Sequence, residues 1–181
     1  MVEVSQLSEE IRRRCEKVAI ILSDVDGVLT DGYLILDNHG HEAQRFHIRD
    51  GLGIRLWQQA GFPFGILSHR SSQSLRIRAA ELGIQFIRQS VESKLTAARE
   101  ILAQCRLGLD ELCYIGDDLL DLPLLRRVGL AVAVADAVPE VRAVAHIVTE
   151  APGGAGAVRE IIEVILKTKD RWEPLVASLD R

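Results

Sequence analysis

The 181 residues, 48% hydrophobic and 27% charged, suit one compact domain with a single core, and no second domain is expected. A net charge of -4 excludes a basic face for a nucleic-acid partner, while a small acidic phosphate substrate stays possible where cations are placed locally. Residues 1–17 lack a signal-peptide core and no later run approaches a membrane span, so the expectation is a cytoplasmic protein with no membrane partner.

Residues 7–16 read as a short polar helix, with Ser8 as its cap and Glu9 and Glu10 in its first turn. The helix leads into the apolar run 18–22, a strand that ends at Asp24. Asp24-Val25-Asp26-Gly27 then sets two carboxylates where a buried strand hands over to a loop, the place where α/β sheets keep their chemistry. Two like charges so close raise one pKa unless a cation or hydrogen-bond donors offset them, so the pair either shares a proton or holds metal. Residues 33–37 and 42–47 form a hairpin around Asn38-His39-Gly40, and 48–60 carries Leu52, Leu56 and Gln59 at helical spacing before Gly61.

A second apolar strand over 62–67 ends at Ser68-His69-Arg70, and helix 72–82 follows, stopped by Gly83. After a short strand at 84–87, helix 92–105 buries Leu95, Ala98, Ile101 and Leu102. The strand 112–115 runs into Gly116-Asp117-Asp118-Leu119-Leu120-Asp121, followed by a helix to Val128. Residues 130–135 form a fully buried strand by composition, Pro139 opens a short helix at its first position, and 156–167 makes the last long helix. This alternation predicts an α/β fold: one doubly wound, Rossmann-like parallel sheet with a small β-hairpin insertion. Cys15, Cys105 and Cys113 lack C-x-x-C spacing and read as small reduced core residues.

The strand ends bring Asp24 and Asp26, Ser68, Lys94 early in a helix, and Asp117, Asp118 and Asp121 to one sheet edge. Phosphoryl transfer through a carboxylate nucleophile needs this set. Hard oxygen donors without His or Cys favour Mg2+, held by the Asp24 carboxylate, the Asp26 backbone carbonyl and Asp117. Taken singly, each signal has a plainer reading: a turn or cap for Asp24-Val25-Asp26, a helix cap for Ser68, a solvated residue for Lys94. Asp118 and Asp121 read as residues that steady Asp117. His39, His41 and His47 read as surface or subunit contacts. Gly153-Gly154-Ala155-Gly156 lacks the spacing of a dinucleotide loop and reads as a helix entry near the site.

In this order, Asp24-Val25-Asp26-Gly27-Val28, Ser68, Lys94 and Gly116-Asp117-Asp118-Leu119-Leu120-Asp121 resemble the haloacid dehalogenase superfamily of phosphatases. Residues 29–32, the hairpin, and residues 45–54, 114–119, 132–137 and 153–160 resemble its 3-deoxy-D-manno-octulosonate 8-phosphate phosphatase family, over a core of about 16–172. The resemblance implies hydrolysis of that phosphomonoester through an aspartyl phosphate, in lipopolysaccharide precursor synthesis. Asp24 attacks phosphorus, Asp26 shuttles the proton, and Ser68 and Lys94 hold the phosphoryl oxygens. It implies no large cap domain; hairpin 33–47 would cover the site of a neighbour in a homotetramer.

Substrate contacts carried over by motif are Asp26, His47, Ile48, Arg49, Asp50, Gly51, Arg55, Arg70, Arg78 and Lys94, an arginine fork suiting the sugar acid's carboxylate. The family's second-strand motif usually reads Thr-Gly-Arg; Ser68-His69-Arg70 keeps the hydroxyl and the arginine but replaces the glycine. Phosphatases for 2-keto-3-deoxynononate 9-phosphate carry Glu at the position of Arg70, so Arg70 favours the eight-carbon substrate. A receiver-like phospho-accepting module uses similar residues, but there the second acid cluster does not come last. A catalytically silent assembly partner would not need Asp24, Asp26, Lys94 and Asp117 intact.

Overall fold

The structure, a computed structural model, describes residues 4–179; of the single unit expected over 1–181, residues 1–3 and 180–181 lie outside the described residues. α1 (Glu9–Lys17) starts where the Ser8 hydroxyl accepts the Ile11 N–H, and leads into β1 (Ile20–Ser23), buried along its whole length. The hairpin strands β2 (Ile35–Leu36) and β3 (Glu42–Ala43) pair antiparallel. α2 (Ile48–Gln59), β4 (Phe64–Leu67), α3 (Gln73–Glu81), β5 (Phe86–Arg88) and α4 (Lys94–Cys105) follow. β6 (Leu112–Gly116), α5 (Leu122–Leu125), β7 (Leu130–Ala133), α6 (Pro139–Val144), β8 (Ile147–Val148), α7 (Ala157–Thr168) and α8 (Trp172–Ser178) complete the chain.

Six parallel strands form the main sheet in the order β5-β4-β1-β6-β7-β8. The chain moves outward from β1 through β4 to β5, then returns to the other side of β1 for β6. The order therefore reverses at β1, which makes its carboxyl end the crevice where such sheets bind ligands. Ser23 lies beside Ile66 of β4 and Ile115 of β6, so the three strands release their loops at one level.

Helices cover both faces. α1 and α2 pack on α7, and α5 packs on α4 and α6. The central strands are accordingly apolar on both sides: Ile20, Ile21, Leu22, Ile66, Leu67, Tyr114, Ile115 and Val132 are all fully buried. Trp57 fills the α2 side and donates its indole N–H to the Pro63 carbonyl at 2.8 Å. Cys15, Cys105 and Cys113 are free thiols, and burial pushes Cys15 up to about 11. Among the described residues, no helix is long and apolar enough to cross a membrane.

Six elements depart from expectation, among them α5, which ends at Leu125 instead of Val128. β4 starts at Phe64, after Pro63, which has no N–H to add to the ladder. β5 starts at Phe86, after a turn in which the Ile84 N–H closes back on the Ala79 carbonyl. β7 ends at Ala133, because the chain turns at Val134–Ala137 and the Ala137 N–H bonds back to the Val134 carbonyl. The hairpin strands are two residues each instead of five or six. β8 and α8 had no sequence signal: one has two residues, and the other only seven with Pro174 among them, both too short to show a period.

Candidate active site

The loop after β1 is folded by its own backbone. Val25 C=O accepts the N–H groups of Val28, Leu29 and Thr30, while the Thr30 hydroxyl accepts the N–H of Gly27 and Gly32. Asp24 stays in the ladder, donating its N–H to Ile115 O at 2.9 Å. Gly27 has φ +92°, and a Cβ there would collide with the Asp117 carboxylate. Gly153 is equally constrained: its Cβ would collide with the Gly27 carbonyl, so the glycine-rich stretch before α7 packs backbone to backbone on the aspartate turn. Asp136 accepts the Gly153 N–H at 2.9 Å and fixes that contact.

At the end of β6 the second acid cluster closes on the first. Lys94 Nζ, buried at the first turn of α4, lies 2.8 Å from Asp24 Oδ2 and 2.6 Å from Asp121 Oδ1. Asp121 is fully buried and occupied: it also accepts the Tyr114 hydroxyl at 2.6 Å and the backbone N–H groups of Asp117 (3.0 Å) and Asp118 (3.3 Å). Its carboxylate holds the β6 loop in shape. Asp118 accepts the Leu119 N–H at 2.7 Å and starts the turn over Leu119–Asp121.

Burial, then the Asp121 charge, push Asp24 up to about 6 against the pull of Lys94. Burial, then Asp24 and Asp121, push Asp117 up to about 8. Burial works against the Lys94 ammonium, but Asp24 and Asp121 outweigh it and hold the lysine above its ordinary value. The site is short of positive charge.

Oxygens of Asp24, Asp117 and Asp121 lie within 4.8 Å of one another. Asp117 Oδ1 is buried with no hydrogen-bond partner among the described residues, which is costly unless something binds there. With Asp121 already occupied, Asp24 and Asp117 are the carboxylates that fit a hard cation, and an all-oxygen donor set fits magnesium.

The third side of the cleft, about 200 Å³ in volume, comes from the loop after β4. Ser68 is buried and its hydroxyl accepts the Arg70 N–H at 3.0 Å, leaving its own proton free to donate. His69 lines the cleft and bonds the Val91 carbonyl through Nδ1 at 2.6 Å. Arg70 reaches Asp26 Oδ1 at 3.4 Å and Glu42 Oε2 at 2.6 Å. Gln44 Nε2 donates to Asp26 Oδ1 at 2.9 Å while its Oε1 accepts the Ser72 hydroxyl at 2.7 Å.

The structure thus gathers Asp24, Asp26, Ser68, Arg70, Lys94 and Asp117 around one cleft. Reading the sequence missed Glu42, Gln44 and Tyr114. Glu42 and Gln44 are two residues apart on the hairpin's second arm and so share a strand face, which was the signal available.

Seven expected substrate residues stand elsewhere. Ile48, Arg49 and Arg55 are exposed and do not line the cleft; Arg55 donates to the Glu81 carbonyl at 2.9 Å. His47, Asp50, Gly51 and Arg78 surround a separate narrow gap between α2 and α3. Asp50 is 2% exposed, and its carboxylate accepts the N–H groups of Arg159 (2.7 Å) and Gly156 (3.2 Å), capping α7. Burial pushes Asp50 up against those two donors. Arg78 pairs with Glu81 at 2.8 Å, and Gly51 gives its guanidinium room. Within one chain, then, these residues do not join the aspartates, because α2, and α3 for Arg78, carry them away from the mouth of β1.

A family model of haloacid dehalogenase-like hydrolases matches residues 64–161, and the chain belongs to that family. Six parallel strands with the acid pair after β1 are its frame. Within it the chain belongs with the 3-deoxy-D-manno-octulosonate 8-phosphate phosphatases. The Yersinia pestis phosphatase of that name is 40% identical over 167 residues, 92% of this chain and 89% of the relative. Its crystal structure superposes with a TM-score of 0.91 over 92% of this chain and 90% of that one. The Moraxella catarrhalis phosphatase, solved with magnesium, phosphate and KDO, is 37% identical with a TM-score of 0.91, covering 94% of this chain and 98% of that one. A cobalt-bound Haemophilus influenzae phosphatase is 39% identical with a TM-score of 0.84, covering 87% and 92%.

Proposed function

We propose that this protein hydrolyses 3-deoxy-D-manno-octulosonate 8-phosphate to the free sugar acid and phosphate, using magnesium, in the cytoplasmic synthesis of lipopolysaccharide precursor. The observation that carries this is the Asp24 carboxylate, paired with Lys94, beside Asp117 Oδ1, which is buried at the sheet's switch point with no hydrogen-bond partner among the described residues. In this reading Asp24 attacks phosphorus and forms an aspartyl phosphate. Asp26 protonates the departing sugar alkoxide and then takes a proton from the water that releases phosphate. Ser68 donates its free hydroxyl proton to a phosphoryl oxygen, and Lys94 balances the charge that builds there. Asp24, Asp117 and the Asp26 carbonyl would hold magnesium, whose charge screens the anionic nucleophile from the anionic ester. Arg70 takes the substrate's carboxylate. A phosphate-release screen over sugar acid phosphates, with and without magnesium, tests the reading: magnesium-dependent release strongest for the eight-carbon acid is expected, and equal rates on the nine-carbon ester would remove the assignment of substrate.

Magnesium and protons compete for the same carboxylates. Without metal, burial and the repulsion of neighbouring carboxylates push Asp117 up to about 8 and Asp24 up to about 6, both above the ordinary 3.8. Binding near neutral pH therefore releases protons held by the pair, and affinity rises with pH. Calorimetry in buffers of different ionisation enthalpy measures the release. Because both folded-state values are raised, the protonated forms favour the fold. Metal-free stability is greatest below the unfolded value and falls as pH rises toward 8, and magnesium reverses the fall. A metal-free melting temperature flat over that range contradicts the assignment.

The hairpin exposes Tyr33 at 75% and Leu36 at 62%, beside Ile48 at 75%. Such apolar surface on a cap-free core supports a homotetramer in which each hairpin tip covers a neighbour's cleft, the exposed Ile48, Arg49 and Arg55 coming from that neighbour. His47, Asp50, Gly51 and Arg78 then shape the root of the hairpin from which the contact is made. Sedimentation should give a tetramer; a fully active monomer contradicts the arrangement.

A further inference from the structure

We propose that Glu42 is a specificity-determining residue: its carboxylate holds Arg70 until the carboxylate of an acidic sugar phosphate takes its place. The proposal rests on Arg70 as the substrate's carboxylate partner, and adds what occupies that arginine beforehand. Glu42 Oε2 is 2.6 Å from Arg70 Nη2, and Nη1 of the same guanidinium reaches Asp26 Oδ1 at 3.4 Å. One cation already faces two acids, and a third carboxylate cannot join them without like-charge repulsion. Glu42 must leave.

Two observations make it a ready leaver. Its other oxygen, Oε1, is buried and has no hydrogen-bond partner among the described residues, so the closed pair carries a desolvation penalty that moving into water relieves. Its strand is two residues long in a two-stranded ladder, with Leu34, Ile35 and Leu36 exposed, the kind of segment that opens locally at small cost. Besides Arg70, the arm is held on its own chain by Gln44, through Asp26 and Ser72, by the Ser74 hydroxyl at the Glu42 carbonyl, 3.4 Å away, and by the largely exposed Arg45, 3.1 Å from Asp31 Oδ2. An ester without a carboxylate has no means of displacing Glu42. The latch therefore acts on carboxylate-bearing esters alone: it lowers their affinity by the cost of displacing Glu42 and leaves other esters as they are.

Wild type, Glu42→Gln and Glu42→Ala, each as the full chain with magnesium, are assayed on 3-deoxy-D-manno-octulosonate 8-phosphate and on p-nitrophenyl phosphate. Both variants should lower KM for the sugar acid phosphate by up to about fivefold, the scale of a partly exposed ion pair, with kcat unchanged. KM for p-nitrophenyl phosphate should not move, and Glu42→Gln should have no effect in an Arg70→Met background. An unchanged or higher KM for the acid overturns the proposal, as does an equal shift on both esters, which would make Glu42 a holder of the hairpin. If Arg70→Met leaves KM for the acid untouched, the underlying reading of Arg70 has failed, and the proposal fails with it. Glu42→Gln keeps the side chain's shape, so it carries the test if the alanine variant is unstable.

Discussion

Asp24→Asn should lose turnover by roughly 10⁴-fold or more, the scale seen when a nucleophile is removed, while the protein still folds. The amide fills the same space but offers no anionic oxygen to phosphorus. Lys94 keeps its second partner, Asp121, at 2.6 Å, so no buried cation is stranded. The fold should gain at alkaline pH. Burial and Asp121 raise Asp24 to about 6, so its ionised form is a liability to the metal-free protein, and a neutral amide removes it. Metal-free Asp24→Asn should therefore melt no lower than wild type near pH 8. Turnover and thermal melting of the same preparation separate the two effects, and full activity in the variant rejects Asp24 as the nucleophile.

Lys94→Met should be the most damaging change to the fold as well as to turnover. The lysine is 4% exposed and touches two buried acids, so removing it leaves Asp121 and Asp24 with no cation against them. Breaking a buried pair from one side costs about 3–5 kcal/mol. Tyr114 and the N–H groups of Asp117 and Asp118 still satisfy Asp121, which places the effect toward the lower end. The cost should shrink at acid pH, where Asp24, pushed up to about 6, takes a proton. Urea unfolding at two pH values reads this difference, and an unaltered midpoint near neutral pH would mean the lysine is not the counter-ion of the cluster.

Much of the site was legible because its chemistry sits where backbone rules put it. Asp24 and Asp26 follow an apolar run broken by Gly27, and the structure explains that glycine twice, by φ +92° and by the carboxylate of Asp117 in the space of its Cβ. Lys94 and Asp117 were readable from order along the chain, each just past a strand that lies beside β1 or its neighbour. Ser68 was readable for the same reason. The rest was set by packing across the chain. No periodicity links Asp50 to the first turn of α7, 106 residues away, yet its carboxylate caps that helix. Glu42 and Gln44 were read only as part of the hairpin, because the partners that give them meaning, Arg70 and Asp26, are 28 and 18 residues distant. Tyr114 read as one more apolar strand residue; its hydroxyl is what holds Asp121 in place.

The most direct measurement is an acid-quenched single turnover with magnesium, followed by fragmentation mass spectrometry of the peptide that spans β1 and its loop. The account predicts a transient phosphoryl group on the Asp24 side chain, removed by hydroxylamine and absent from Asp24→Asn. A phosphoryl group on Asp26, Ser68 or any other residue, or substrate consumed at full rate with retention of no label anywhere and inversion at phosphorus, would contradict it.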